Sequence, residues 1–389
     1  MVMTSRPDER FDAVLVGGGL QNALIALALL EERPGARIAM IERGARICGE
    51  HTWSFHERDV PDDCRAFIEP LVVSRWDGYD VKFPRHERTI GSGYATTTSE
   101  RVAGVVEERL RRARGSVLLT GTLASQVDAH LVRLDEGTAL AGELVVDSRG
   151  PNLFSRANAP GFQKFLGLEL ELARPSPMAR PLLMDARVPQ FDGYRFVYVL
   201  PFEERRVLIE DTYFSDSPTL DEPLLHERVL EYAHRAGFDS KRVIRQETGV
   251  LPLPVQGLPR IASRSPLAGG YAGGWFHPAT GYSFPVALRL ARHVAKAGPS
   301  EVFGAPFDAL VASHRKQFRF AAFLNRMFFA AFAPERRFSV LERFYTLPED
   351  TIARFYALDT TTSDRLRILC GRPPRGMSFG FGAARGAEA

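Results

Sequence analysis

The sequence predicts an α/β protein. It combines a Rossmann-type dinucleotide-binding domain, an antiparallel sheet suited to walling an apolar cavity, and a helical carboxy-terminal region. Three observations predict it. Near the amino terminus a β-rich run ends in three glycines and an apolar, helix-forming stretch. Around residues 181–211 apolar and aromatic runs alternate with turn signals. Beyond Pro306 helix formers dominate, interrupted by Pro334.

The first element is the strand Phe11–Val16 (FDAVLV), followed by Gly17, Gly18 and Gly19 and the helix Leu20–Leu30. A second strand, Arg37–Ile41, ends in Glu42. Gly17 permits a tight turn, and Gly19 lets the backbone approach a pyrophosphate. The helix starting at Leu20 offers free N–H groups and a positive dipole end. Glu42 is placed to accept a ribose hydroxyl and disfavours a 2′-phosphate. Asn22 stands where the third glycine of the usual fingerprint would be, which predicts a helix slightly farther from the strand.

The stretches 115–119, 124–129, 130–134 and 143–146 read as short strands. The last runs into Asp147–Ser148–Arg149–Gly150–Pro151, where Asp147 either orients a loop against a cofactor or closes a turn. Leu182–Val188, Tyr194–Leu200 and Arg206–Asp211 read as an antiparallel sheet, and Pro218–Ala236 as a helix. Residues 269–285 (GGYAGGWFHPATGYSFP) form a glycine-rich aromatic loop feeding the helix Val286–Ala297. A second cradle so far from the first suggests a flavin domain built from distant parts of the chain. A nicotinamide enzyme needs only the first loop. Phe307–Ala333 and Arg337–Asp359 read as two helices. The aromatics Phe318, Phe320, Phe323, Phe328, Phe329 and Phe332 form either a packed core or an interfacial face.

The whole chain, 389 residues with 45% hydrophobic and 25% charged residues, has the composition of a folded globular protein of two or three domains. A net charge of +3 does not point to nucleic acid. Five of the 50 basic residues are lysine, so the excess is arginine. Cys48, Cys64 and Cys370 are far apart with no CxxC pair, which argues against a metal site or a disulfide framework and fits a reducing cytosol. No apolar run is long enough to span a membrane, and the polar Met1–Arg10 segment predicts no leader.

The glycine turn with Glu42, the runs His51–Thr52–Trp53–Ser54–Phe55–His56 and Asp147–Ser148–Arg149–Gly150–Pro151, and the residues Gln163, Phe165 and Gly167 form one part of a larger pattern. The pair Glu210–Asp211, the turn Pro252–Leu253–Pro254 and the run from Phe276 to Ser283 (FHPATGYS) complete it. Together they resemble the bacterial lycopene β-cyclases from about Phe11 to Thr361. The resemblance implies a flavoprotein of p-hydroxybenzoate-hydroxylase-like architecture that holds reduced FAD, with NAD(P)H as electron donor. It implies a non-redox isomerisation that turns each ψ-end of lycopene into a β-ring. The substrates would be lycopene and other linear-ended carotenoids, met at a membrane surface; no nucleic acid and no metal is expected. The location implied is cytoplasmic, peripheral to the inner face of the cell membrane.

Residue by residue, Glu210 matches the family's essential acid, which burial would keep protonated. Asp211, next along the strand, points to the opposite face by strand alternation yet is counted with the substrate wall. Cofactor contacts are expected at Gly17, Gly18, Gly19, Leu20, Glu42, Asp147, Gly150, Gly274, Thr280, Gly281 and Tyr282. Trp53, Tyr194, Phe196 and Tyr198 are expected to line the substrate site, by packing or by cation–π support. His56 and His277 lack a partner at motif spacing and read as structural or cofactor-loop residues. The expected division is a discontinuous FAD domain (1–50, 90–160, 255–300), a substrate domain (51–89, 161–254), a helical region (301–370) and a flexible tail (371–389). Two other readings fit the same fold: an FAD-dependent monooxygenase or reductase of an isoprenoid, and a non-catalytic carotenoid carrier.

Overall fold

Burial on both faces decides the first element. β1 (Arg10–Val16) carries Ala13, Val14, Leu15 and Val16 at or near zero exposure, as a central parallel strand does when both faces are covered. The glycine turn leads into α1 (Leu20–Glu32), buried from Leu20 through Leu30, and then into β2 (Ile38–Ile41), parallel to β1. These elements belong to a computed structural model that describes residues 10–150, 161–254 and 266–370. Pro151 and the 371–389 tail lie outside the described residues.

The chain continues through β3 (Thr52–His56), the single turn α2 (Arg65–Ile68), β4 (Ser74–Trp76), β5 (Tyr79–Phe83), β6 (His86–Ile90), β7 (Tyr94–Thr98) and α3 (Ser99–Arg112). Next come β8 (Val117–Leu119), β9 (Ala124–Val127), β10 (Leu131–Leu134) and β11 (Ala139–Asp147). β12 (Gly161–Leu172), β13 (Leu182–Asp185), β14 (Tyr194–Glu203) and β15 (Arg206–Ser215) precede α4 (Glu222–Arg235) and β16 (Ser240–Leu253). β17 (Leu267–Ala268) opens the second glycine loop. Helices α5 (Phe284–Ala297), α6 (Ala305–Ala331), α7 (Phe338–Phe344), α8 (Glu349–Tyr356) and α9 (Thr362–Leu369) follow.

Three sheets result. The first has the order β8-β2-β1-β11-β10-β9, with β17 also paired to β11; all its pairings are parallel except those of β10. Ala13 and Leu15 face α1 and α5, while Val14 and Val16 face Val132, Leu134 and Leu140. The carboxyl ends of β1, β2, β11 and β17 therefore converge on one edge, where open α/β sheets bind ligands. The second sheet, β16-β12-β15-β14-β13-β5-β6, is antiparallel apart from the β13–β5 pair. One face, with Leu166, Leu168 and Ile209, packs on Val229 and Tyr232 of α4. The other, with Tyr194, Phe196 and Phe214, meets Phe328 of α6 and Phe355 of α8. A small sheet, β3-β7-β4, is the third.

Several elements differ from expectation. The strand expected at 206–211 runs on to Ser215, so Glu210 sits in mid-strand rather than at its end. The single helix expected over 337–359 is two, because Pro348 cannot donate to a helical carbonyl and instead opens α8. β12, most of β16 and α3 were not anticipated. The Asn22 amide donates to the Val16 and Gly17 carbonyls at 3.0 and 2.8 Å and its Oδ1 accepts from Ser148, tying α1 to the ends of β1 and β11. Among the described residues, no helix is long and apolar enough to cross a membrane.

Candidate active site

Between the first two sheets lies a cavity of about 1750 Å³. Ligand pockets commonly span roughly 300–1,000 Å³, so this one has room for two ligands end to end. Its first half is the edge where the parallel strands end. Gly17, Gly19, Leu20, Glu42, Asp147 and Gly150 line it. Gly17 has φ +93°, and a Cβ there would stand 2.8 Å from the Ser148 carbonyl oxygen, so only glycine fits. A Cβ on Gly19 would meet nothing within 4 Å, which leaves the backbone open to a close-approaching group. Gly19 caps α1 without a side-chain hydrogen bond, and the first turn holds no acid, so the helix dipole is uncompensated by the chain itself.

Glu42 reaches the cavity wall but also braces the loop. Its Oε2 accepts from Gly18 N and its Oε1 from Gly44 N, both at 2.7 Å. Gly18 itself is packed against Ile47 and does not line the cavity. Asp147 does close a turn, accepting from Arg149 N, Nε and Nη2, while its carbonyl accepts from Gly269 N. From the second glycine loop, Thr280, Gly281 and Tyr282 line the cavity, and Gly281 has φ +69°. Gly274 does not line it: it lies behind, its carbonyl held by His314 Nε2 at 2.8 Å.

Two buried amide oxygens, Gln21 Oε1 and Gln163 Oε1, line this cavity without a hydrogen-bond partner among the described residues. Unpaired buried acceptors are costly, and a ligand bearing N–H or O–H groups would satisfy them. With the bare Gly19 backbone, the free helix end and Glu42, they fit a dinucleotide carrying a polar ring system.

The second half is apolar and aromatic. Trp53, Phe196, Tyr198 and Phe214 line it with Leu183 and Met184, and Glu210 is the carboxyl group in this wall. The register explains the grouping: Tyr198 pairs with Glu210, Phe196 with Thr212 and Tyr194 with Phe214, so these side chains share one face. Glu210 Oε1 accepts a 2.6 Å hydrogen bond from Thr212. Burial, and after it the nearby charge of Glu247, push the Glu210 carboxyl up to about 8. The apolar wall and the neighbouring carboxylate thus both favour the protonated form of Glu210.

Two expected wall residues are elsewhere. Tyr194 is fully buried behind the surface, stacked on Phe196 with its hydroxyl on Met184 Sδ. Asp211 is a correction: it does not line the cavity. Strand alternation turns it to the opposite face, where its two oxygens take Arg195 Nε at 2.8 Å and Nη2 at 3.0 Å, and Tyr213 O–H at 2.8 Å.

His277 is structural: burial pushes it down to about 3, its Nδ1 accepts from Ala279 N, and Nε2 meets the Phe355 carbonyl. His56 is buried with Nδ1 3.5 Å from Asp59, and Asp59 accepts a hydrogen bond from Tyr282 O–H at 3.0 Å. Sequence reading missed a hydroxyl chain, Tyr94 to Tyr198 at 3.0 Å and Tyr198 to Ser54 at 2.8 Å, that lines the wall beside Glu210. It also missed Glu247. An acid at period two with Gly249 and Leu251 was a visible signal, but its neighbour across β12 was not.

A family model described as Lycopene cyclase protein matches residues 12–379. The chain belongs to the lycopene cyclase family. It is 41% identical over 371 residues to the lycopene beta-cyclase of Pantoea ananas, covering 94% of this chain and 95% of that protein. It is 39% identical to the lycopene beta-cyclase of a Paracoccus species, covering 93% and 94%. Two solved structures share the fold of this lycopene cyclase family member. One is a p-nitrophenol 4-monooxygenase from Pseudomonas putida (TM-score 0.63, 14% identity, 90% of this chain and 98% of that one). The other is a geranylgeranyl bacteriochlorophyll reductase-like protein from Thermoplasma acidophilum (TM-score 0.59, 14% identity, 93% and 96%). The fold is that of the FAD-dependent monooxygenases.

Proposed function

We propose that this chain is a lycopene β-cyclase. It converts the ψ-ends of lycopene to β-rings, through γ-carotene to β-carotene, by acid catalysis without net oxidation. The observation that carries the reading is the placement of Glu210: a half-buried carboxyl, accepting only from the neutral Thr212 hydroxyl and raised toward its protonated form by burial and then by Glu247, set in the aromatic wall of a cavity with room for a flavin and a polyene end. Glu210 donates its proton to an end-group alkene carbon and leaves a tertiary carbocation. The neighbouring double bond attacks and the ring closes; a carbon beside the new cation then gives up a proton, its C–H pair becomes the ring double bond, and that proton replaces the one Glu210 gave, so no proton or electron is consumed overall. Tyr198, Phe196, Phe214 and Trp53 present π-faces to the positive charge and exclude water.

Gly17, Gly19, Leu20, Glu42, Asp147 and Gly150 at one end of the cavity, with Thr280, Gly281 and Tyr282 from the second glycine loop, would hold FAD. Kept reduced by NAD(P)H, it would supply an electron-rich group able to stabilise positive charge. The division into a discontinuous FAD domain, a substrate domain and a helical region belongs to this reading.

The test is a lycopene-accumulating bacterial host carrying this gene, with pigments extracted, separated and weighed. A product of unchanged mass that co-elutes with β-carotene is expected. A product heavier by oxygen or by hydrogen would replace the reading with a monooxygenase or a reductase. Unaltered lycopene from folded, flavin-loaded protein would replace it with a carrier.

The substrate is insoluble in water, so its entrance must meet lipid. Phe323 of α6 and Leu369 of α9 both line the cavity and are 37% and 44% exposed. Exposed Arg319 and Arg326 flank Phe323 on the same helix. This rim is the side that meets the membrane surface, inserting apolar side chains between cationic ones. Wild-type protein should float with liposomes containing anionic lipid, and the double variant Phe323→Asp/Leu369→Asp should lose most of that flotation. Equal flotation would place the entrance elsewhere.

A further inference from the structure

Glu210 has a second carboxylate beside it, and the sheet shows why. Gly167 in β12 pairs with Glu210 on one side and with Glu247 on the other, so Glu247, Gly167 and Glu210 form one row across three strands. The middle position has no side chain. A Cβ on Gly167 would stand 3.1 Å from Glu247 Cγ and 3.4 Å from its Oε1. Glu247 therefore leans over the space above Gly167, toward Glu210.

Glu247 is paired from behind. Glu247 is 5% exposed, and its Oε2 accepts from Arg245 Nη1 at 2.6 Å and from Thr52 Oγ1 at 3.0 Å. Arg245 Nη2 donates to Thr52 Oγ1 at 2.9 Å, and its Nε donates to Glu169 Oε2 at 3.1 Å. Glu169, 1% exposed, is also bound by Arg206. Glu210 is held instead by the neutral Thr212 hydroxyl, and it forms no ion pair among the described residues. Two close carboxylates in a dry site share their protons, and the cation beside one decides which stays ionised.

We propose that Glu247, ion-paired with Arg245, hydrogen-bonded by Thr52 and brought close by the bare Gly167, is a positioning residue that keeps the transferable proton on Glu210. The inference rests on Glu210 being the acid of the reaction proposed above. The remaining groups around Glu210 do not compete. Tyr198 on β14 and Tyr94 on β7 are pushed well up by burial and stay neutral. Asp211 on its own strand faces away and is paired with Arg195. His51, beside Glu247 and Arg245, is lowered by burial. Burial and then Glu247 are the two largest influences raising Glu210, in agreement with the geometry.

The test is the pH profile of cyclisation in wild type and Glu247→Gln, with flavin loaded in both. Removing a neighbouring negative charge lets Glu210 lose its proton earlier. The alkaline limb should move down by about one unit, so the rate at mildly alkaline pH falls about tenfold. Most of the loss should be recovered on acidification, in kcat rather than KM. Glu247→Asp, which keeps the charge, should restore the limb. A loss equal at all pH values, with the limb unmoved, would overturn the proposal and leave Glu247 a structural residue. Cyclisation by Glu210→Gln would instead overturn the acid itself. Should Glu247→Gln not fold, infrared titration of the buried carboxyl band decides. A band present at neutral pH in wild type and absent from Glu210→Gln is expected, whereas one that persists would put the proton on Glu247 and overturn the proposal.

Discussion

Glu210→Gln should fold, hold flavin and carotenoid, and cyclise nothing. Glutamine matches the shape of the protonated carboxyl and can still accept from the Thr212 hydroxyl that Glu210 uses at 2.6 Å. It has no proton acidic enough to give to an alkene. General acids commonly contribute 10²–10⁴-fold, and here protonation begins the reaction, so a loss of at least about 10³-fold is expected. In wild type the active form is the protonated one. With Glu210 raised to about 8, the rate should stay level through neutral pH and fall above that value, tenfold per unit. The same shift has a consequence for stability. Glu210 binds its proton more tightly folded than unfolded, where a glutamate titrates near ~4.3. Its stabilising contribution is complete below that unfolded value and is lost as pH rises through about 8. Glu210→Gln has no such loss, so on alkaline thermal melting it should be at least as stable as wild type. Turnover by the variant, or a wild-type rate that rises through alkaline pH, would remove Glu210 from the chemistry.

What the sequence made legible was what it encodes locally. The glycine turn Gly17–Gly19 could be read because a helix starting three residues after a buried strand leaves few alternatives, and Gly17 does adopt φ +93°. The 269–285 loop could be read because its glycines cluster before an apolar helix. Glu210 could be singled out through family resemblance, since a glutamate in a β-rich run is otherwise an ordinary edge residue. Its raised pKa depends on burial and then on Glu247, which is 37 residues away and meets it only across Gly167 of a third strand. No local pattern carries that register. The long strands β12 and β16 were missed for a related reason: β12 buries Lys164 and Glu169, and the start of β16 is dense in charge. Charges of that kind look like solvated turns until their partners are known. Glu169 meets Arg206 and Arg245, and Lys164 meets Asp192, all from other strands or loops. Strand alternation alone turns Asp211 away from Glu210, and its pairing with Arg195 agrees with that rule rather than with a place in the substrate wall.

Arg195→Ala should be the most destabilising single change in the substrate sheet. Asp211 is 0% exposed and Arg195 3%, and they meet through two hydrogen bonds of 2.8 and 3.0 Å. Tyr213 O–H also donates to Asp211, and Arg228 Nη1 to the Tyr213 oxygen, so Arg195 is the cation in direct contact with the carboxylate and Arg228 stands one residue behind it. Deleting that cation strands a buried charge, which costs about 3–5 kcal/mol. Replacing both partners by apolar residues of similar volume, as in Arg195→Met/Asp211→Leu, should cost clearly less, because no charge is left behind. Urea midpoints of the two variants check this, and a single variant as stable as the double would refute it. The pair also has a bearing on catalysis. Asp211 follows Glu210 in β15, and Arg195 lies on the neighbouring strand β14, so the ion pair clamps the two strands directly behind the cavity wall. Loosening it allows β15 to shift against β12 and β14. Such a shift would alter the distance from Glu210 to Glu247, on which the placement of the proton depends. Arg195→Ala that survives folding should therefore show weakened cyclisation, although Arg195 never touches the substrate.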